Sequence, residues 1–180
     1  AAVQINSAVD VVFARYADLS GPAYLGYAIR LQQVPLAFIG IALSGAALPA
    51  LSRAAKEGDF VRFREFLDAV TKRCCSLMVP ATFLLLVAGG AMVNLLFARG
   101  EFGALSVAQT STCLWGYALG TLPASMVFFL AGAFYARGNY RVPTVASMVS
   151  VGVNIALNAW FIFVLDMGAA SVAIATSISA

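Results

Sequence analysis

The sequence predicts an all-α fold, a polytopic bundle of transmembrane helices, and three observations predict it. Of the 180 residues, 62% are apolar and 11% are charged, whereas an ordinary soluble domain is about 25% charged. Mean hydropathy is +0.90, so there is too little polar side chain to coat a water-facing globule. Apolar runs of about 20 residues, the length a helix needs to cross the hydrocarbon, recur along the chain. None of them alternates with a period of two, as the strands of a membrane barrel do. The composition also excludes a disordered chain, a collagen-like repeat and a disulfide scaffold.

Residues 1–17 read as the end of a span already under way, closed by Arg15, Asp18 and the Ser20-Gly21-Pro22 turn. The start lacks the basic-then-apolar pattern of a leader, and the end falls inside an apolar run. The chain is therefore expected to be an internal piece of a longer polytopic protein. A second span covers 24–51, interrupted by Pro35 with Pro49 near its end. The third covers 74–98 around Pro80, and the fourth 108–136 around Pro123. The fifth runs over 141–165, with Pro143 in the first turn, where a missing N–H costs nothing. Beyond Asp166, residues 168–180 begin a sixth. Prolines inside spans two, three and four permit kinks and freed carbonyls.

Ten of the 19 charged residues crowd into 53–73, where Phe60, Phe63, Leu67 and Val70 recur at helical spacing. This pattern predicts an amphipathic helix lying at the membrane surface and leading into span three. Its mixed signs favour a solvated interfacial face over a nucleic-acid or calmodulin-like surface. The 53–73 connection and the 137–141 turn fall on one side of the membrane and together carry eight basic residues; the opposite side holds Arg15 and Arg99. By the positive-inside rule the first side is cytoplasmic, and span one runs outward.

Two echoes, Phe97-Ala98-Arg99-Gly100 and Tyr135-Ala136-Arg137-Gly138, fall on opposite sides. Both read as helix C-termini, with a cation for the dipole and a glycine for the left-handed cap. Gly116 and Gly120 form one GxxxG pair, which suits close helix approach. With no histidine in the chain, histidine triads and HExxH zinc sites are excluded. Cys74, Cys75 and Cys113 form no CxxC and read as small apolar residues in helices.

An ionisable group at membrane depth costs a few kcal/mol and is a functional candidate for that reason. Arg30 lies about two turns into span two. Its guanidinium either snorkels to the outer interface or faces a wet cavity, where its planar fork suits phosphate. Asp10 follows Asn6 by one turn, and Asn154 and Asn158 repeat that spacing in span five. One carboxylate with several amide oxygens suits a hard monovalent cation such as Na+. The alternative is hydrogen bonding between helices, with Asp10 reaching interfacial water.

Several stretches resemble the MurJ (MviN) family. They are Arg30-Leu31-Gln32-Gln33-Val34-Pro35-Leu36, Gly40-Ile41-Ala42-Leu43, Leu48-Pro49-Ala50-Leu51-Ser52-Arg53 and Glu57-Gly58-Asp59. Further matches are Leu96-Phe97-Ala98-Arg99-Gly100-Glu101-Phe102, Ala133-Phe134-Tyr135-Ala136 and Ala175-Thr176-Ser177. The resemblance covers nearly the whole chain. It implies part of the C-terminal lobe of a two-lobed exporter, from the seventh helix to the start of the twelfth, with the N-terminal lobe as its missing partner. The implied activity is that of a transporter, not an enzyme: a lipid II flippase of the bacterial cytoplasmic (inner) membrane. It would turn the undecaprenyl-pyrophosphate-linked peptidoglycan precursor to the outer leaflet by alternating access.

Arg30 matches the family's cavity arginine, although Ile29 stands where an acid usually precedes it. Asp10, Asn154, Asn158 and Thr176 resemble a sodium site seen in the family, with Asn158 where an acid is common. No other cofactor is implied. The rival readings are a sister exporter of the same superfamily, for polysaccharide lipids or drugs, an intramembrane enzyme acting on polyprenyl phosphates, and a lobe kept as a non-transporting scaffold. The sister exporters lack the Leu-Pro-x-Leu-Ser-Arg block, and the enzyme would want clustered carboxylates with a metal.

Overall fold

In a bilayer the backbone must satisfy its own hydrogen bonds, and a chain this apolar meets that demand as helices. The computed structural model describes residues 2–180, with side chains from residue 4 onward; Ala1 of the expected first span lies outside that range. Helix α1 is Ala2–Ala17, and α2 (Gly21–Pro35) passes through a wide π-helical turn, Leu36–Ile41, into α3 (Ala42–Glu57). Then follow α4 (Phe60–Phe97), α5 (Ala104–Ala136), α6 (Arg141–Ala159) with a second wide turn at Trp160–Val164, and α7 (Ala170–Ser179). No strand occurs among the described residues. Four segments are long and apolar enough to cross a membrane: Gly21–Glu57, Phe60–Phe97, Ala104–Ala136 and Arg141–Val164. The chain is thus part of a multi-pass membrane protein.

The stretch 53–73 is not the single surface helix that its charge pattern predicts. Gly58 adopts φ 71°, and its N–H turns back to the carbonyls of Ala54 and Ala55, ending α3. The Asp59 carboxylate then accepts the backbone N–H of Arg62 at 2.9 Å and starts α4. A left-handed glycine followed by an aspartate N-cap stops one helix and opens the next. From Phe60 onward the charged residues belong to the same helix as span three. At 1.5 Å per residue α4 is about 57 Å long, nearly twice the hydrocarbon thickness, which accommodates its charged first turns beyond the core.

Helix α5 is the centre of the bundle. It packs against α2, α3, α4 and α7, and 44% of its most apolar stretch is buried, against 17% to 22% in the other three spans. A helix apolar on all sides needs such a position. Around one half of it gather Ala14, Leu25, Ala28, Leu85, Val93, Leu114 and Val172. Around the other half lie Leu51, Ala54, Phe63 and Ala133, with Cys74, Met78 and Phe129. At that second end Arg137, in the α5–α6 turn, stacks over Phe60 and Phe63 at 5.4 and 6.0 Å. The charged start of α4 and the 137–141 turn therefore share one end.

The GxxxG pair forms the α5–α7 crossing. A Cβ on Gly116 would lie 2.9 Å from Ala173 Cβ, and one on Gly120 would lie 2.7 Å from Ser177 Cα. Only glycine permits this approach, and the Ser177 hydroxyl uses it to donate to the Gly116 carbonyl at 2.7 Å. Overpacking of this kind costs about 1–3 kcal/mol. Gly120→Val is therefore expected to lower the thermal midpoint of the detergent-solubilised full-length protein by several degrees. Gly152→Ala, where a Cβ meets nothing within 4 Å, should leave it unchanged.

Candidate functional site

Four of the candidate residues meet where α1, α6 and α7 converge. Asp10 is only 6% exposed, and Asn154 and Asn158 are fully buried. The Asn158 side-chain amide donates to Asp10 Oδ1 and to Asn154 Oδ1, both at 2.9 Å. The Thr176 hydroxyl donates to Asp10 Oδ2 at 2.9 Å, and the Asn154 amide donates to Thr176 Oγ1 at 3.3 Å. Each helix contributes by its own spacing: Asn154 and Asn158 share a face of α6 one turn apart, and Thr176 is turned toward α1 by the seating of Ser177 against α5. A buried carboxylate is tolerable only when both oxygens are occupied. Here they are.

Chemically the cluster holds one carboxylate, two amide groups and a hydroxyl, closed by its own hydrogen bonds. With both amides turned to present oxygen, such a set would suit a hard cation, one monovalent ion balancing the single carboxylate. Asn158 Oδ1 is buried and accepts no hydrogen bond, and the same holds for Asn6 Oδ1, one turn before Asp10. These are spare acceptors beside a carboxylate. No group of three or more histidine, cysteine, aspartate or glutamate side chains that could hold a metal ion occurs among the described residues.

Arg30 stands apart from this cluster. It is exposed on α2, outside the stripe formed by Tyr24, Leu25, Ala28, Leu31 and Gln32 that buries against the bundle. Its guanidinium sits over the Tyr27 ring, 5.6 Å from the centroid. Tyr27 in turn packs on Phe97 and Phe102 at 4.8 and 5.2 Å. Among the described residues the one ion pair is Arg62 with Glu57, so Arg30 has no carboxylate partner. A cation held on an aromatic face and free of a counter-charge is available to an anionic ligand.

Gln32, not among the residues singled out from the sequence, is buried and fixes this helix. Its amide donates to the Tyr117 carbonyl at 2.8 Å and reaches Thr121 Oγ1 at 3.5 Å, tying α2 to α5. The signal was a polar residue within an apolar span, beside the more conspicuous Arg30.

The family described as lipid II flippase MurJ matches residues 1–180. The probable lipid II flippase MurJ of Vibrio cholerae serotype O1 is 34% identical over 177 residues, 98% of this chain and 33% of that protein. Its counterpart in Chlamydia trachomatis serovar D is 32% identical over 155 residues, 86% of this chain and 29% of that protein. A solved lipid II flippase MurJ in an inward closed conformation superposes with a TM-score of 0.87 at 26% identity. The match covers 99% of this chain and 37% of that one. A multidrug resistance MATE family transporter of the MOP superfamily, in an outward-facing conformation, gives a TM-score of 0.82 at 19% identity. It covers 99% of this chain and 38% of that one, and the likeness is one of fold alone. The chain spans about a third of the length of these proteins. With the family matched from end to end and the lobe superposing as a unit, the chain belongs to the lipid II flippase MurJ family.

Proposed function

We propose that the protein to which this chain belongs is a lipid II flippase of the bacterial inner membrane. It moves the undecaprenyl-pyrophosphate-linked peptidoglycan precursor from the inner to the outer leaflet by alternating access. The observation that carries this reading is the family match over all 180 residues. The placement of Arg30 supports it: an exposed guanidinium on a span, without a carboxylate partner, suits the diphosphate of a lipid headgroup. The N-terminal lobe, outside this chain, supplies the opposite wall of the cavity. No bond is made or broken, so the protein is a transporter and not an enzyme. The sister exporters share the lobe, but the MATE likeness at 19% identity extends only to fold.

In this reading Asp10, Asn154, Asn158 and Thr176 hold Na+, which would neutralise the Asp10 carboxylate. Because these residues lie on α1, α6 and α7, occupancy ties three helices together. It favours one access state by as much as its affinity differs between the two. The end carrying 53–73 and 137–141 is cytoplasmic, as its excess of basic residues directs.

Three outcomes are expected. In a strain depleted of its own flippase, full-length Arg30→Ala should fail to restore growth while Arg30→Lys restores it in part. A charge-assisted phosphate contact is worth about 1.5–3 kcal/mol, or roughly ten- to hundredfold in affinity. Full rescue by the alanine variant would remove Arg30 from the site. Second, NaCl but not choline chloride should raise the thermal midpoint of the wild type, by up to about 2.7 kcal/mol of added stability at a hundred times Kd. Asp10→Asn should abolish that response, and an unchanged response would exclude the cation site. Third, in a cysteine-free full-length background, an impermeant maleimide applied to spheroplasts should label a cysteine at Gly103 and not one at Gly58. The reverse pattern would invert the topology.

A further inference from the structure

A cleft opens at the end of the bundle opposite Arg137, between the start of α2 and the connection from α4 to α5. Its volume is about 350 Å3, and Ser20, Tyr24, Tyr27, Arg99, Glu101, Phe102 and Ser106 are among the residues that line it. That volume lies within the about 300–1,000 Å3 typical of small-molecule sites, which pair aromatic walls with a few placed polar groups.

The fold does not account for the polar groups here. Tyr24 is only 7% exposed, yet its hydroxyl is not among the buried polar atoms left without a partner; it lines the cleft and is available there to a ligand. Arg99 and Glu101 are both exposed and form no ion pair with each other or with any other described residue. Tyr27, locked between Phe97 and Phe102, gives a rigid ring at the cleft wall.

The chemistry narrows the ligand. One guanidinium and one carboxylate leave the cleft without net charge, which disfavours a polyanion. Two charges and four hydroxyls disfavour a purely apolar occupant. Phenol faces, a donor fork and a pair of acceptor oxygens suit a hydroxyl-rich ring with apolar C–H faces and amide or carboxylate substituents, that is, an N-acylated sugar. Arg30 lies over the same Tyr27 that forms the cleft wall. A phosphate on Arg30 therefore adjoins a ring in the cleft, the arrangement needed by a sugar joined directly to a diphosphate.

We infer that this cleft is a subsite for the sugar of the lipid-linked headgroup, distinct from the diphosphate contact at Arg30. The inference rests on the flippase reading and adds to it a second recognition element. It implies that the transporter reads the sugar as well as the lipid diphosphate. Bare undecaprenyl pyrophosphate would then bind through Arg30 alone.

The test uses the full-length protein in nanodiscs, titrated with lipid II and, separately, with undecaprenyl pyrophosphate, which has the same tail and diphosphate but no sugar. The variants are Tyr24→Phe and the double variant Arg99→Gln with Glu101→Gln. The double variant alters exposed side chains only, so it carries the test should Tyr24→Phe fold poorly. Each is expected to weaken lipid II binding about tenfold, the worth of one or two lost hydrogen bonds, and to leave undecaprenyl pyrophosphate binding unchanged. Arg30→Ala should weaken both ligands. If the cleft variants bind lipid II as the wild type does, or lose both ligands equally, the sugar subsite is overturned while the flippase reading stands. If the wild type binds neither ligand, the flippase reading falls and the subsite with it.

Discussion

Helices in a bilayer gain little from hiding apolar surface, because lipid tails are as apolar as leucine; how closely their backbones can approach decides which ones pair. In this chain the approach of α7 to α5 through Gly116 and Gly120 is that constraint. It brings Ser177 against the central helix, and Thr176, next in sequence and about 100° round the helix, is turned toward α1. There its hydroxyl meets Asp10. A steric fact about two glycines thus decides whether a carboxylate on another helix is satisfied.

The two ionisable groups at depth are accommodated in opposite ways. Asp10 is enclosed, and both its oxygens accept hydrogen bonds from neutral donors on neighbouring helices, so its carboxyl group is satisfied by protein. Arg30 stays exposed, supported from below by a tyrosine that is itself wedged between two phenylalanines. The first arrangement stabilises a fixed cluster and joins elements. The second leaves a cation with unused donors facing outward.

Much of this was legible in the sequence. The helical class follows from apolar runs without two-residue alternation, and the pairing of Asn154 with Asn158 follows from a four-residue spacing. The clustering of Asp10 with α6 and α7 was not derivable from periodicity. Spans that are apolar all round do not reveal which neighbour they touch, and Thr176 entered only through family resemblance. The surface helix over 53–73 failed because a dense run of charges masked two ordinary signals inside it, the left-handed glycine at 58 and the aspartate cap at 59. The outer cleft escaped because Tyr24 and Arg99, 75 positions apart in the sequence, each looked like an unremarkable boundary residue.

The wide turn at Leu36–Ile41 resolves a mismatch in phase. Counted at about 100° per residue, the buried positions of α3 (Ala47, Leu51, Ala54) fall roughly one residue out of step with those of α2 (Gly21, Tyr24, Leu25, Ala28, Leu31, Gln32). A π-type turn takes up one extra residue, so both halves face the same central helix despite the slip. The apolar stripe is thus written in two frames, spliced just after Pro35. Deleting a single residue within that splice would leave an ordinary α-helix with both stripes still in phase, whereas inserting one more there would turn the alanines and leucine of the lower half away from α5.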